Sequence, residues 1–160
     1  MNLRSGGVDD TRNIGAALAP LLEGGDAVLL EGDLGAGKTA LVQGIARGLG
    51  VDEPVVSPTF MIVRPYEGRL PLAHVDVYRL DGLGDLYDIG FEEVLDPDVV
   101  TVVEWGDRVA AALPPDRLEV TIEPGDTADE RRMTFTPRGR WTERAGELEA
   151  ALAAWKDDPC

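Results

Sequence analysis

Residues 32–39 read Gly-Asp-Leu-Gly-Ala-Gly-Lys-Thr, a complete match to the phosphate-binding loop pattern G-x-x-x-x-G-K-[ST]. Each fixed position has a phosphate to serve. Gly32, Gly35 and Gly37 admit backbone conformations that a Cβ would penalise. The loop N–H groups then turn inward and cradle a polyphosphate, helped by the N-terminus of the helix that follows. Lys38 is placed to reach the β and γ phosphates, and the Thr39 hydroxyl to ligate Mg²⁺. The chain has only two lysines, Lys38 and Lys156, so the match does not come from a basic background.

Such a loop needs a buried strand before it and a helix after it. Residues 27–30, Ala-Val-Leu-Leu, are the short apolar run of a buried parallel strand. After Thr39, Leu41, Val42, Ile45, Ala46 and Leu49 recur at helical spacing, and Gly48 and Gly50 stop that helix. Upstream, residues 11–22 predict a helix with Ile14, Leu18, Leu21 and Leu22 on one face, capped by Asp9, Asp10 or Thr11. Residues 60–66 and 72–78 are strand-like across Glu67-Gly68-Arg69, which predicts an antiparallel hairpin. Residues 83–87 and 90–95 read as helical, 99–103 as a strand ending at Glu104-Trp105, and 108–113 as a short helix stopped by Pro114-Pro115. Two alternating strands, 118–122 and 132–136, precede a closing helix over 142–155 with Ala145, Leu148, Leu152 and Trp155 on its apolar face. The expected fold is α/β: one P-loop NTPase domain spanning residues 1–160, with a mixed parallel and antiparallel sheet covered by helices.

Composition narrows the function. The 160 residues, 44% hydrophobic, suffice for a real core. No apolar run reaches transmembrane length and the first residues lack an apolar signal segment, so no membrane association and a cytoplasmic location are expected. The one cysteine, Cys160, excludes an internal disulfide. The net charge of −15, from 30 acidic and 15 basic residues, repels nucleic-acid backbones. Any role in RNA chemistry therefore runs through a partner.

Open α/β sheets place their chemistry beyond the carboxyl ends of strands, and three further segments carry polar residues suited to that place. His74 and Asp76 alternate with Val75 and so share a face. Asp76 resembles the acid that holds or orients Mg²⁺ in P-loop enzymes. His74 reads as a structural histidine, since nothing nearby supplies a metal-ligand set. Glu104 ends its strand, where a carboxylate can bind Mg²⁺, directly or through water, or position an attacking water. Trp105 beside it either joins the core or covers the nucleotide. In Ser57-Pro58-Thr59-Phe60, Thr59 has a hydroxyl for a metal or phosphate contact. Arg79, Arg131 and Arg132 are candidate charge stabilisers that sequence cannot aim, each also readable as a surface arginine. A guanine-reading Asn-Lys-x-Asp is absent, because the only asparagines are Asn2 and Asn13; ATP follows by exclusion.

Together the loop at 32–39, Ser57-Pro58-Thr59-Phe60, the segment His74-Val75-Asp76-Val77-Tyr78-Arg79-Leu80 and Val103-Glu104-Trp105 resemble the TsaE (YjeE) family, in order and spacing, over nearly the whole chain. Many members have proline after the tryptophan, where this chain has Gly106. The resemblance implies a P-loop ATPase of bacterial tRNA threonylcarbamoyladenosine biosynthesis. Residues Gly35, Ala36, Gly37, Lys38, Thr39 and Ala40 would hold the phosphates of ATP or ADP. Thr39 and Glu104 would hold Mg²⁺, Asp76 and Thr59 would support hydrolysis together with Lys38, and Trp105 would lie near the nucleotide. The implied partners are the proteins TsaD and TsaB, which carry out threonylcarbamoyl transfer, with tRNA met only through that complex and ATP hydrolysis resetting it. Two other readings use the same loop. A small-molecule P-loop kinase would need an arginine-bearing lid, for which residues 131–140 are the nearest segment and read as strand and turn. A nucleotide-binding module without useful turnover would not need Asp76 or Glu104. Residues 80–95 offer a docking surface or a helix packed on the sheet.

Overall fold

Strands that are apolar at every position lie in the middle of the sheet, and strands that alternate lie toward its edge. The computed structural model describes residues 1–58, 63–78, 80, 83–88 and 90–157. Seven strands form one sheet: β1 (Asn2–Ser5), β2 (Ala27–Glu31), β3 (Val63–Tyr66), β4 (Leu72–Asp76), β5 (Val100–Glu104), β6 (Arg117–Pro124) and β7 (Arg131–Arg138). Their order is β1-β7-β6-β2-β5-β4-β3. The central β6-β2-β5-β4 pairings are parallel, while β3, β7 and β1 join antiparallel at the two edges. This is the mixed α/β sheet expected of a P-loop NTPase.

The α-helices among the described residues are α1 (Val8–Leu18), α2 (Lys38–Gly48), α3 (Leu83–Asp88), α4 (Phe91–Val94) and α5 (Ala145–Ala151), alongside short 3₁₀ segments. Two cores flank the sheet. In the larger, Ile14 and Leu18 of α1, Leu41 and Ile45 of α2 and Leu148 of α5 pack on Val28, Leu30, Val102 and Val120. In the smaller, Leu86 of α3 and Phe91 of α4 pack on Leu29, Val75 and Val103. β2 and β5 are therefore covered on both faces, which is why Ala-Val-Leu-Leu and Val-Thr-Val-Val contain no alternation. In β6, Leu118, Val120 and Ile122 are buried while Arg117, Glu119, Thr121 and Glu123 are not, because only one face is covered there.

Several boundaries differ from the sequence reading. α1 begins at Val8 rather than residue 11, its N-cap is Gly7, and no side chain caps it. Asp9 and Asp10 lie inside its first turn, where their charge favours the positive end of the helix dipole. The expected closing helix over 142–155 is broken into a 3₁₀ segment (Gly139–Arg144), α5 and a second 3₁₀ segment (Ala153–Trp155). The break lets the chain straighten beside β1: the Asp157 N–H donates to Asn2 O at 3.0 Å and Lys156 bridges Leu3. β1 itself was not foreseen. The segment over 80–95 is mostly packing, with Leu86 and Phe91 buried and Tyr87 exposed. Cys160 and Ile89 lie outside the described residues. No helix among the described residues is long and apolar enough to cross a membrane.

A bidentate pair ties the C-terminal segment to the start of β2. Arg144 donates to both Asp26 oxygens, at 2.6 and 2.9 Å, and stacks over Trp141 at 3.7 Å. That hydrogen bond, more than any other influence, raises the Arg144 guanidinium above its ordinary value. The tightest contact is between α1 and α2. A Cβ on Gly44 would stand 2.0 Å from Arg12 O, and one on Gly15 would stand 2.4 Å from Leu41 O. The helix carrying the phosphate loop is thus pressed against α1 backbone to backbone. Gly44→Ala should force the helices apart and cost about 2 kcal/mol, lowering the thermal midpoint by roughly 4–8 °C, readable by calorimetry.

Candidate functional site

The register of three parallel strands assembles the site. Leu30 of β2 pairs with Glu104 of β5, and Glu104 pairs with Asp76 of β4. The phosphate loop therefore leaves β2 level with both acids. Gly35 and Gly37 hold φ of +81° and +110°, and Gly37 caps α2 from the left-handed region with no side-chain bond to the helix amides. Those N-terminal N–H groups are left to an anion. A cavity of about 440 Å³ opens over the loop. Gly35, Ala36, Gly37, Lys38, Thr39 and Ala40 line one side of it, and Ser57, Asp76, Tyr78, Glu104 and Trp105 the other. A second concavity of about 280 Å³, over Arg12, Gln43, Arg47 and Val55, holds none of these groups.

Lys38 is only 5% exposed. Its ammonium donates to Gly32 O at 2.6 Å and Asp33 O at 2.9 Å, and lies 3.9 Å from the centre of the Trp105 ring. The cation is desolvated but held by loop carbonyls and a π face, so it is pre-positioned at the loop. Thr39 Oγ1 donates toward Glu104, 3.2 Å from Oε1 and 3.3 Å from Oε2. Glu104, 3% exposed, also meets His74, with Nε2 to Oε2 at 2.5 Å.

Asp76 is organised from two sides. Ser57 Oγ donates to Oδ2 at 3.0 Å, and the Tyr78 N–H donates to Oδ1 at 2.9 Å. Ser57 is a contact to Asp76 that the sequence reading did not name; Thr59, expected to touch metal or phosphate, lies outside the described residues, as does Arg79. Trp105 has φ +65° and ψ +31°, the one non-glycine residue with positive φ among those described. A bulky residue there costs of order 1–3 kcal/mol. The conformation is held by its N–H bonding Leu30 O at 2.9 Å and by the Tyr78 ring at 4.9 Å. It puts the indole at the cavity wall, where it also packs against the smaller core.

Arg131 and Arg132 part ways. Arg132 pairs with exposed Asp126. Arg131, the first residue of β7, donates to Ala36 O at 2.9 Å and to Gly35 O at 3.5 Å. It grips the outer carbonyls of the phosphate loop, and no local motif in the sequence announces this. Thr39 and Glu104 are adjacent hard-oxygen donors, the kind Mg²⁺ accepts alongside phosphate oxygens and water. Among the described residues there is no cluster of three or more His, Cys, Asp or Glu that could hold a metal ion.

Two outcomes are expected. ADP should change the fluorescence of Trp105 as Lys38 leaves the ring for the phosphates, and the change should vanish in Trp105→Phe, since Trp141 is fully buried elsewhere and Trp155 lies against Asp10 of α1. Arg131→Ala should weaken ADP binding about tenfold by calorimetric titration, the equivalent of about 1.4 kcal/mol for a lost charge-assisted bond.

A family model described as "Threonylcarbamoyl adenosine biosynthesis protein TsaE" matches residues 6–133, a span holding every site residue above. A Treponema pallidum protein named tRNA threonylcarbamoyladenosine biosynthesis protein TsaE is 46% identical over 132 residues, covering 82% of this chain and 96% of that protein. The Streptomyces coelicolor protein of the same name is 48% identical over 138 residues, covering 81% and 93%. A crystal structure of Bacillus subtilis YdiB superposes with a TM-score of 0.75 at 39% identity, covering 94% of each chain. With the fold, the loop and the paired acids in the matched span, the chain belongs to the TsaE family.

Proposed function

We propose that this chain is a Mg²⁺-dependent ATPase of the cytoplasm, a single domain over residues 1–160, that serves tRNA threonylcarbamoyladenosine biosynthesis as an accessory protein. The observation carrying the reading is the convergence of Lys38, Thr39, Asp76 and Glu104 on one cavity at the carboxyl ends of parallel strands. The amides of residues 35–40 take the phosphates of ATP, and Lys38 exchanges the carbonyls of Gly32 and Asp33 for the β and γ phosphates. Thr39 and Glu104 would hold Mg²⁺, which would supply charge neutralisation at the phosphates. Asp76, oriented by Ser57 and the Tyr78 N–H, orients the water that attacks the γ phosphorus, with Thr59 assisting. Trp105 closes the cavity wall against the nucleotide.

The turnover resets a partner pair, the proteins TsaD and TsaB, and transfers no threonylcarbamoyl group itself. The charge of −15 supports an indirect relation to tRNA, since this surface repels phosphate and leaves RNA binding to the partners. The kinase reading has less support. Arg131 at the head of residues 131–140 is committed to the loop carbonyls of Ala36 and Gly35, and the segment is a paired strand rather than a lid.

Hydrolysis of ATP with Mg²⁺ should be slow for the chain alone and rise when TsaB and TsaD from the same source are added. Lys38→Ala should lower the stimulated rate by about 100-fold or more. Asp76→Ala and Glu104→Ala should also be inactive in cellular complementation; survival of both would favour a binding module without turnover. Absence of stimulation with ATP bound, together with phosphate transfer to a metabolite panel, would favour the kinase.

A further inference from the structure

Resting on the ATPase reading, we infer that His74 is a positioning residue: it fixes which oxygen of the Glu104 carboxylate is offered to the metal. A glutamate at a strand end has three side-chain torsions and two equivalent oxygens. Thr39 Oγ1 lies 3.2 Å from one oxygen and 3.3 Å from the other, so it does not choose between them. His74 does choose. Its Nε2 meets Oε2 at 2.5 Å, leaving Oε1 with only the Thr39 contact among the described residues.

The strand register makes this reach possible. His74 pairs with Val102 and Asp76 with Glu104 in the parallel β4/β5 ladder. All four residues therefore share the face beneath α2, and His74 stands one pleat below the carboxylate. From there it supports Glu104 from the core side while Thr39 approaches from the helix.

Packing alone does not account for this imidazole. His74 is 0% exposed, and its Nδ1 has no hydrogen-bond partner. A leucine would fill the same volume with no orphaned nitrogen. A carboxylate only accepts, so Nε2 must carry the proton of the shared bond, and the tautomer with a bare Nδ1 is the one that buries no unmade N–H. The polar ring is retained at a cost, and its one hydrogen bond among the described residues is with Glu104. Groups that orient a metal ligand in this way are worth about 10–100-fold in metal affinity.

The test follows Mn²⁺ binding to the full chain loaded with ADP, read from the loss of the free-ion electron paramagnetic resonance signal. Folding of each variant is checked by thermal unfolding. Wild type should hold Mn²⁺ more tightly than ADP alone does. His74→Leu should weaken Mn²⁺ by about tenfold while metal-free ADP affinity stays unchanged. His74→Gln, which keeps an N–H near the same place, should restore most of the loss. Wild-type Mn²⁺ affinity in His74→Leu would overturn the inference, as would an equal loss of metal-free ADP binding, which marks general disruption. If the leucine variant does not fold, His74→Met, which also lacks an N–H, takes its place: a loss of Mn²⁺ affinity of about tenfold supports the role and wild-type affinity rejects it. If wild type holds Mn²⁺ no better than free ADP, the metal-dependent ATPase reading itself fails and takes this inference with it.

Discussion

Leu30, Glu104 and Asp76 stand side by side in three adjacent parallel strands. Side chains alternate along a strand, so a slip of one residue in β5 or β4 would carry Glu104 or Asp76 to the opposite face, among Leu29, Val75 and Val103. That face is dry and apolar. Burial on both sides of β2 and β5 therefore fixes the register and, with it, the position of every acid at the mouth. The phosphate loop could form on any strand–helix unit. What makes this one a site is the alignment of its neighbours.

Before any nucleotide arrives, the groups at the mouth satisfy one another. The Lys38 ammonium rests on two loop carbonyls and an indole, Thr39 bonds Glu104, and Ser57 bonds Asp76. On the proposed reading, entry of a polyphosphate would exchange these contacts for stronger, charge-assisted ones without creating buried unpaired ions on the way. Trp105 takes part through its backbone as well as its ring. Its left-handed conformation is imposed by the last hydrogen bond of the β2–β5 ladder, from Trp105 N–H to Leu30 O, so the indole is aimed by the sheet. Arg131 does the matching work outside the loop, holding the Ala36 carbonyl outward so that amides remain inward.

Much of this was legible in the amino-acid order. The loop, its strand and its helix follow from fixed glycines and an apolar run, and the hairpin of β3 and β4 follows from alternation around a turn. The shared face of His74 and Asp76 was readable from period two, but their common meeting with Glu104 was not, since that depends on which strand lies beside which. Arg131 was hidden for the same reason: it is 95 residues from Ala36 in sequence. β1 is four residues long and carries one buried leucine, too little pattern to announce a strand. The broken C-terminal helix was missed because its apolar spacing is helical, while the bonds that end it come from Asn2 and Leu3 at the other end of the chain.

Those bonds bear on the order in which the molecule is made. β1 hydrogen-bonds only β7 within the sheet, Met1 joins Phe135 O, and the segment near Lys156 closes against Leu3. Residues 2–5 therefore have no strand partner until β7 has been synthesised. The parallel centre, β2 with β5 and β4, can assemble earlier, whereas the N-terminal edge must wait. The opening strand is thus a seam sewn last, and a nascent chain stalled short of residue 131 would carry its phosphate loop and both acids but an unfinished margin.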